Sequence, residues 1–164
     1  MPYGTVFRPG LFAGETIIVT GGGSGIGRCT AHELAALGAK VVLVGRRREN
    51  LLQVQAEIIE DGGHADIQVL DIRVEEDVIA AVDMIINRDG PINGLVNNAG
   101  GQYTSPLEEI SQKGWETVVR TNLTGGFLMS REVFRQSMKK AGGGAIVNIT
   151  ADHWMSMPSM GHSG

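Results

Sequence analysis

The sequence predicts a doubly wound α/β fold, a parallel sheet covered by helices on both faces. Three observations lead there. Short apolar runs alternate with longer helical patterns, the apolar runs lack the polar alternation of half-exposed strands, and a glycine-rich turn joins the first run to the first helix.

Thr16–Thr20 (TIIVT) is apolar at its centre and reads as a strand buried on both faces. A helix is expected from about Ile26 to Leu37, stopped by Gly38. Lys40–Val44 (KVVLV) is the second strand. Glu49–Glu60 is a helix whose apolar face carries Leu51, Leu52, Val54, Ile58 and Ile59, and Asp61-Gly62-Gly63 breaks it. Ile67–Leu70 is the third strand, ending at Asp71. Glu75–Asn87 is a helix with the acidic first turn that the helix dipole favours. Ile92–Val96 is the fourth strand. Pro106 to about Lys140 is helical in two pieces, with the break expected near Lys113-Gly114. Gly142, Gly143 and Gly144 end it, and Ala145–Ile149 is the fifth strand. Strand and helix alternating in this way imply right-handed crossovers. With no solenoid repeat and no linker, residues 1–164 read as a single domain.

Composition narrows the partners. The chain is 42% hydrophobic and 20% charged with a formal net charge of -4, which suits a globular core and argues against a nucleic-acid binder or a basic membrane-surface protein. The lone cysteine, Cys29, allows no internal disulfide, and a reducing cytoplasm is the expected compartment. Met1–Gly14 lacks the pattern of a signal peptide, and no apolar run approaches the ~20 residues that span a bilayer. His32, His64, His153 and His162 have no ligand spacing, so no metal is expected. Cys29 is expected to be a small buried residue and Trp115 a packing residue. Trp154 with Met155, Met157 and Met160 suits either an apolar acyl pocket or core-edge packing.

The turn from Thr20 to Gly27 reads TGGGSGIG. Glycines there let the backbone turn tightly and approach a pyrophosphate, while the helix N-terminus offers free N–H groups and the positive end of its dipole. The spacing is T-G-x-x-x-G-x-G, with Gly21, Gly25 and Gly27, and the strict G-x-G-x-x-G pattern is not met. A tight turn without a ligand is the competing reading. A P-loop is excluded, because no Gly-Lys-Ser/Thr follows. Past the second strand, where NAD-binding proteins place a carboxylate on the ribose, stand Arg46, Arg47 and Arg48. An arginine can grip a 2′-phosphate bidentately, and three arginines at a helix start oppose its dipole unless an anion joins them, a solvated basic helix start being the competing reading. The expected cofactor is therefore NADPH/NADP rather than NADH.

These residues resemble the short-chain dehydrogenase/reductases. TGGGSGIG matches that family's nucleotide turn and Asp71 in LDIR its adenine-side residue. NNAG (Asn97 to Gly100), Asn122 in TNLTG and the strand AIVNIT follow in the family's order. Within the family the chain is most similar to the branch of the peroxisomal trans-2-enoyl-CoA reductases and 2,4-dienoyl-CoA reductases. That similarity rests on RPGLFAGE, GGQYTSPLEEIS, KGWETVVRTNLTGGF and the closing HSG.

The resemblance implies a Rossmann sheet with five of the usual seven strands and a hydride transfer to a carbonyl or enoyl substrate, acyl-CoA among the candidates. It implies that Gly21, Ser24, Gly25, Ile26 and Gly27 hold the pyrophosphate and ribose, Arg46 and Arg47 the 2′-phosphate, and that Asp71 and Ile72 flank the adenine. Asn98, Ala99 and Gly100 would line the path to the nicotinamide. Asn122 would keep a water in a proton relay, with a helix-interior bond to a backbone carbonyl as the alternative. Assembly as a homodimer or homotetramer through Trp115–Lys140 is implied as well.

The chain departs from the family at its chemistry. A Tyr acid/base followed four residues on by Lys is required, but the tyrosines here are Tyr3 and Tyr103, and neither has that Lys. Counted from Asn148, the Tyr position falls near Gly164, and the family's Ser position falls on Ala151, with Thr150 beside it. In the reductase branch named above, Tyr and Lys lie further along. The sequence therefore reads as a form lacking its C-terminal substrate-pocket part, with a non-catalytic dinucleotide-binding or oligomerising fragment as the alternative.

Overall fold

The computed structural model describes residues 6–151. Five strands, β1 (Thr16–Thr20), β2 (Lys40–Gly45), β3 (His64–Val69), β4 (Ile92–Asn97) and β5 (Ala145–Asn148), form one parallel sheet in the order β3-β2-β1-β4-β5. Helices α1 (Gly25–Ala36), α2 (Arg48–Glu60) and α3 (Glu75–Asp89) supply the crossovers between the first four strands. This is the expected doubly wound α/β Rossmann arrangement. The direction of winding reverses between β1 and β4, so a crevice opens beyond the C-terminal ends of those two strands.

Two apolar layers sandwich the sheet. Ile17, Val19, Val41 and Leu43 point toward α1 and α2, where Ala31, Leu51, Val54 and Ile58 meet them. Ile18, Val42, Val44 and Leu95 point to the other face, against Val78, Val82 and Ile85 of α3 and Leu128, Met129 and Val133 further along the chain. Successive strand residues alternate between the two layers, which is why β1, buried at all five positions, has no polar alternation in its sequence.

Two elements differ from expectation. β3 begins at His64, three residues before the expected Ile67, and pairs with β2 from Lys40 onward. As an edge strand it tolerates His64 and Asp66, whose polarity hid the strand start. The second difference is the helix after β4. A short 3₁₀ turn (Leu107–Glu109) precedes α4 (Gln112–Val119), which runs on through a π-helical segment (Arg120–Gly125), α5 (Gly126–Val133), a second π segment (Phe134–Met138) and α6 (Lys139–Ala141). The break lies before Ser111, whose Oγ accepts from the Gly114 N–H at 3.1 Å and so caps α4. Gly114 is the first turn of that helix rather than a breaker. A Cβ there would lie 2.9 Å from the Tyr103 ring, so the glycine serves close packing.

Two packing expectations are also corrected. Cys29 is exposed on α1, and Trp115 is 52% exposed on α4. Both lie on helix faces turned from the sheet, where apolar character alone does not decide burial. Exposed Leu123, Phe127 and Phe134 stand further along the same helical stretch as Trp115. Among the described residues no helix is long and apolar enough to cross a membrane, and no cluster of His, Cys, Asp and Glu suits a metal ion. Tyr3, His153, Trp154, Met155, Met157, Met160, His162 and Gly164 lie outside the described residues.

Candidate functional site

The crevice at the winding reversal is built by two turns that lock into one another. After β1 the chain turns through Gly21 at φ +67° and Gly25 at φ +54°, conformations that favour glycine. After β4, Asn98 and Ala99 both donate backbone N–H bonds to Thr20 Oγ1 at 3.0 Å, and Thr20 Oγ1 donates to the Val96 carbonyl at 3.2 Å. The hydroxyl thereby uses its whole hydrogen-bonding capacity. Asn98 Nδ2 returns the tie by donating to the Thr20 carbonyl at 3.0 Å. Gly27 lets α1 close on this junction, because a Cβ there would overlap the Gly21 carbonyl and Asn98 Nδ2. Gly25 is different: nothing lies within 4 Å of its missing Cβ. Its left-handed backbone faces open space.

This junction leaves the N-terminus of α1 available. Ser24 is its N-cap residue, yet no side chain caps the helix. Uncapped N–H groups beside an open glycine turn suit an anion. Gly21, Ser24, Arg46, Arg47, Asp71, Ile72, Asn98, Ala99 and Gly100 all line the cleft in front of them. Gly25 and Gly27 shape the turn without lining the cleft, and Ile26 points into a neighbouring one. Arg46 and Arg47 are exposed at the end of β2, and among the described residues no carboxylate pairs with either. The donor set of glycine turn, free helix N-terminus and unpaired arginines fits an extended ligand carrying several phosphates.

Asp71 is less free than its sequence position suggests. Arg73 donates from Nε to Asp71 Oδ1 at 2.9 Å, from Nη2 to Oδ2 at 2.6 Å, and from its backbone N–H to Oδ1 at 3.1 Å. These bonds, led by those of the Arg73 side chain, hold the Asp71 carboxyl at about 2, and the charge of Arg46 acts in the same direction. Burial opposes the shift.

A second, more apolar cleft adjoins the first and shares Ile72, Ala99 and Gly100 with it. Ile26, Asn122, Thr150 and Ala151 line this second cleft, together with Leu123, Phe127 and Ile149. Asn122 sits in the π-helical segment, a type of irregularity frequent at functional sites. Its side chain bonds Gly101 twice: Oδ1 accepts from the Gly101 N–H and Nδ2 donates to the Gly101 carbonyl, both at 2.9 Å. The amide thus pins the loop after β4 and makes no bond to a carbonyl of its own helix. Tyr103 lies on that loop against Gly114, with Leu107 four residues on.

Sequence reasoning missed Thr20, Asn97 and Arg73. Asn97 Nδ2 donates to Ser130 Oγ and Asn148 Oδ1, each at 2.9 Å, joining β4, α5 and β5 on the floor of the second cleft. Only the LDIR context could have flagged Arg73, since a charge two residues from an aspartate on a loop is common on surfaces.

The short chain dehydrogenase family profile matches residues 15–161. Gluconate 5-dehydrogenase of Gluconobacter oxydans (strain 621H) is 41% identical over 144 residues, which is 87% of this chain and 56% of that protein. A citronellol catabolism dehydrogenase of Pseudomonas aeruginosa PAO1 superposes with a TM-score of 0.92 at 64% identity, over 98% of this chain and 65% of that one. An actinorhodin polyketide ketoreductase variant with NADPH superposes at 0.85 and 35% identity, covering 88% of this chain and 56% of its own. An NAD+-bound xylitol dehydrogenase superposes at 0.86 and 35% identity, covering 91% and 58% respectively. The chain thus spans about half the length of the curated relatives it matches.

Proposed function

The chain belongs to the short-chain dehydrogenase family, and from that premise we propose that residues 1–164 form the single nucleotide-binding domain of an NADPH-dependent oxidoreductase. One observation carries the choice of cofactor: Arg46 and Arg47 stand unpaired beside the glycine turn, where an NAD site would place a carboxylate. In this reading the N–H groups of α1 and the open backbone at Gly25 receive the pyrophosphate. Arg46 and Arg47 grip the 2′-phosphate, Asp71 and Ile72 flank the adenine, and Asn98, Ala99 and Gly100 guide the nicotinamide end toward the second cleft.

NADPH when bound supplies a hydride for a carbonyl or an activated C=C. The adjoining apolar cleft, with Leu123, Phe127 and Ile149, is where the small-molecule substrate enters, an enoyl or other acyl-CoA thioester being the class suggested by the resemblance. Thr150 and Ala151 lie at its edge, and Asn122 holds the Gly101 loop that forms one wall. The intact protein is read as cytoplasmic, assembling as a homodimer or homotetramer through the long helical stretch Trp115–Lys140, where Trp115 and Phe134 are exposed. Light scattering that returned a monomer for the intact protein would remove the assembly part.

A second reading has its own support. Tyr103, the one tyrosine among the described residues, packs on Gly114 and has no Lys four residues on. On that view the chain binds a dinucleotide without turning it over.

Titration with NADPH and NADH, followed by tryptophan quenching or calorimetry, tests the cofactor assignment. NADPH is expected to bind roughly 10–100-fold tighter, the value of one charge-assisted contact, and Arg46→Asp is expected to abolish the preference. Equal affinity for the two nucleotides would sink the assignment. Turnover of enoyl-thioester and ketone panels by this chain would reject the second reading.

A further inference from the structure

We propose that Arg73 sets the preference for NADP over NAD without touching the 2′-phosphate, by holding Asp71 so that Arg46 stays free. The inference rests on the NADPH reading above and deepens it.

Asp71 is the one carboxylate among the described residues lining the first cleft, and it shares that cleft with Arg46, Arg47 and Arg73. Left alone, it would act against a 2′-phosphate twice. It would repel the dianion directly, and it would draw Arg46 into an ion pair, taking the phosphate's partner away. Arg46 is near enough for its charge to act on the Asp71 carboxyl.

The structure gives Asp71 another partner. Arg73 meets it with both arms of the guanidinium, at 2.9 and 2.6 Å, and adds its backbone N–H at 3.1 Å. The bidentate fork satisfies most of the lone pairs of the carboxylate and fixes its direction. With that pair neutral overall, Arg46 and Arg47 remain as uncompensated cations at the end of β2. The Asp71 carboxyl is held at about 2, so it is ionised at every physiological pH and its charge always needs a partner. Among the described residues Arg120 also meets this loop: its Nη2 donates to the Arg73 carbonyl at 3.5 Å and leaves the fork untouched.

The experiment measures NADPH and NADH affinities of the 164-residue chain, Arg73→Ala, Arg73→Lys and the double variant Arg73→Ala/Asp71→Asn. In Arg73→Ala the NADPH-over-NADH ratio is expected to fall about two- to fivefold, the strength of a part-exposed ion pair, because NADPH weakens and NADH does not. Arg73→Lys, which keeps a cation but not the fork, should fall between the two. In the double variant the ratio should return to the unmodified value, since no carboxylate is left to capture Arg46. A merely structural Arg73 would weaken both nucleotides equally, and that outcome, or a double variant that fails to restore the ratio, overturns the proposal. An unmodified chain that prefers NADPH, with a ratio unmoved by Arg73→Ala, overturns this inference alone. An unmodified chain that binds neither nucleotide overturns the cofactor reading and this inference with it.

Discussion

Replacing Gly27 by alanine sets two known effects against each other. Gly27 lies in the first turn of α1, and alanine there should gain up to about 1 kcal/mol of helix propensity. Against that, the new Cβ would lie 2.9 Å from the Gly21 carbonyl carbon and closer still to its oxygen and to Asn98 Nδ2. Carbon atoms in contact normally stand about 3.5–4.0 Å apart. The helix would have to withdraw by more than half an ångström, or Asn98 would have to release the Thr20 carbonyl. Overpacking of this kind costs about 1–3 kcal/mol and the lost hydrogen bond about 1 kcal/mol. The steric term wins, with a net loss of about 1–3 kcal/mol. For a chain of this size that lowers Tm by about 2–10 °C. The same displacement moves the turn that would receive the pyrophosphate, so nucleotide affinity should fall at least about tenfold. Gly25→Ala is the comparison: its Cβ meets nothing within 4 Å, and only the left-handed backbone penalises it, by about 1–2 kcal/mol. The assay is thermal melting with and without NADPH. A Gly27→Ala chain that melted higher and kept its nucleotide affinity would refute the argument that close approach, rather than flexibility, requires this glycine.

Two further outcomes follow from the same structure. Ser137, 4% exposed, accepts the Ile92 N–H at 2.8 Å and donates to the Ile92 carbonyl at 3.2 Å, fastening the second π segment to β4; Ser137→Ala should cost about 1–3 kcal/mol by chemical denaturation, and a loss below a few tenths would show that water replaces the hydroxyl. The Asp71 carboxyl is lowered from its ordinary 3.8 to about 2, so its contribution to stability is complete above pH 4 and disappears as pH falls toward 2; discounted for a side chain 28% exposed, it is about 1 kcal/mol, and acid melts of Arg73→Ala should lack that component.

Much of the fold was legible in the sequence because burial on both faces of a parallel sheet leaves a strong local record. β1 and β2 are apolar runs buried at every interior position, and β4 is buried at all but Asn93, so each starts where expected. β3 was read short because only one flank of an edge strand is paired, and His64 and Asp66 can stay near water there. Gly114 was misread because a glycine that breaks a helix and one that makes room for a Tyr103 ring look alike until the ring is placed. The glycine turn and the arginines after β2 were legible because each is a short contiguous run directly following an apolar strand.

The sequence by itself therefore determined the element order, the winding and the character of the first cleft. Tertiary structure alone decided which groups are spoken for. Thr20 ties itself to a loop 78 residues away, Asn122 spends its amide on Gly101, and Arg73 closes on Asp71 while Arg46 and Arg47 stay open. Hydrogen bonding is a competition among all donors that reach an acceptor, and which donors reach it depends on the folded chain.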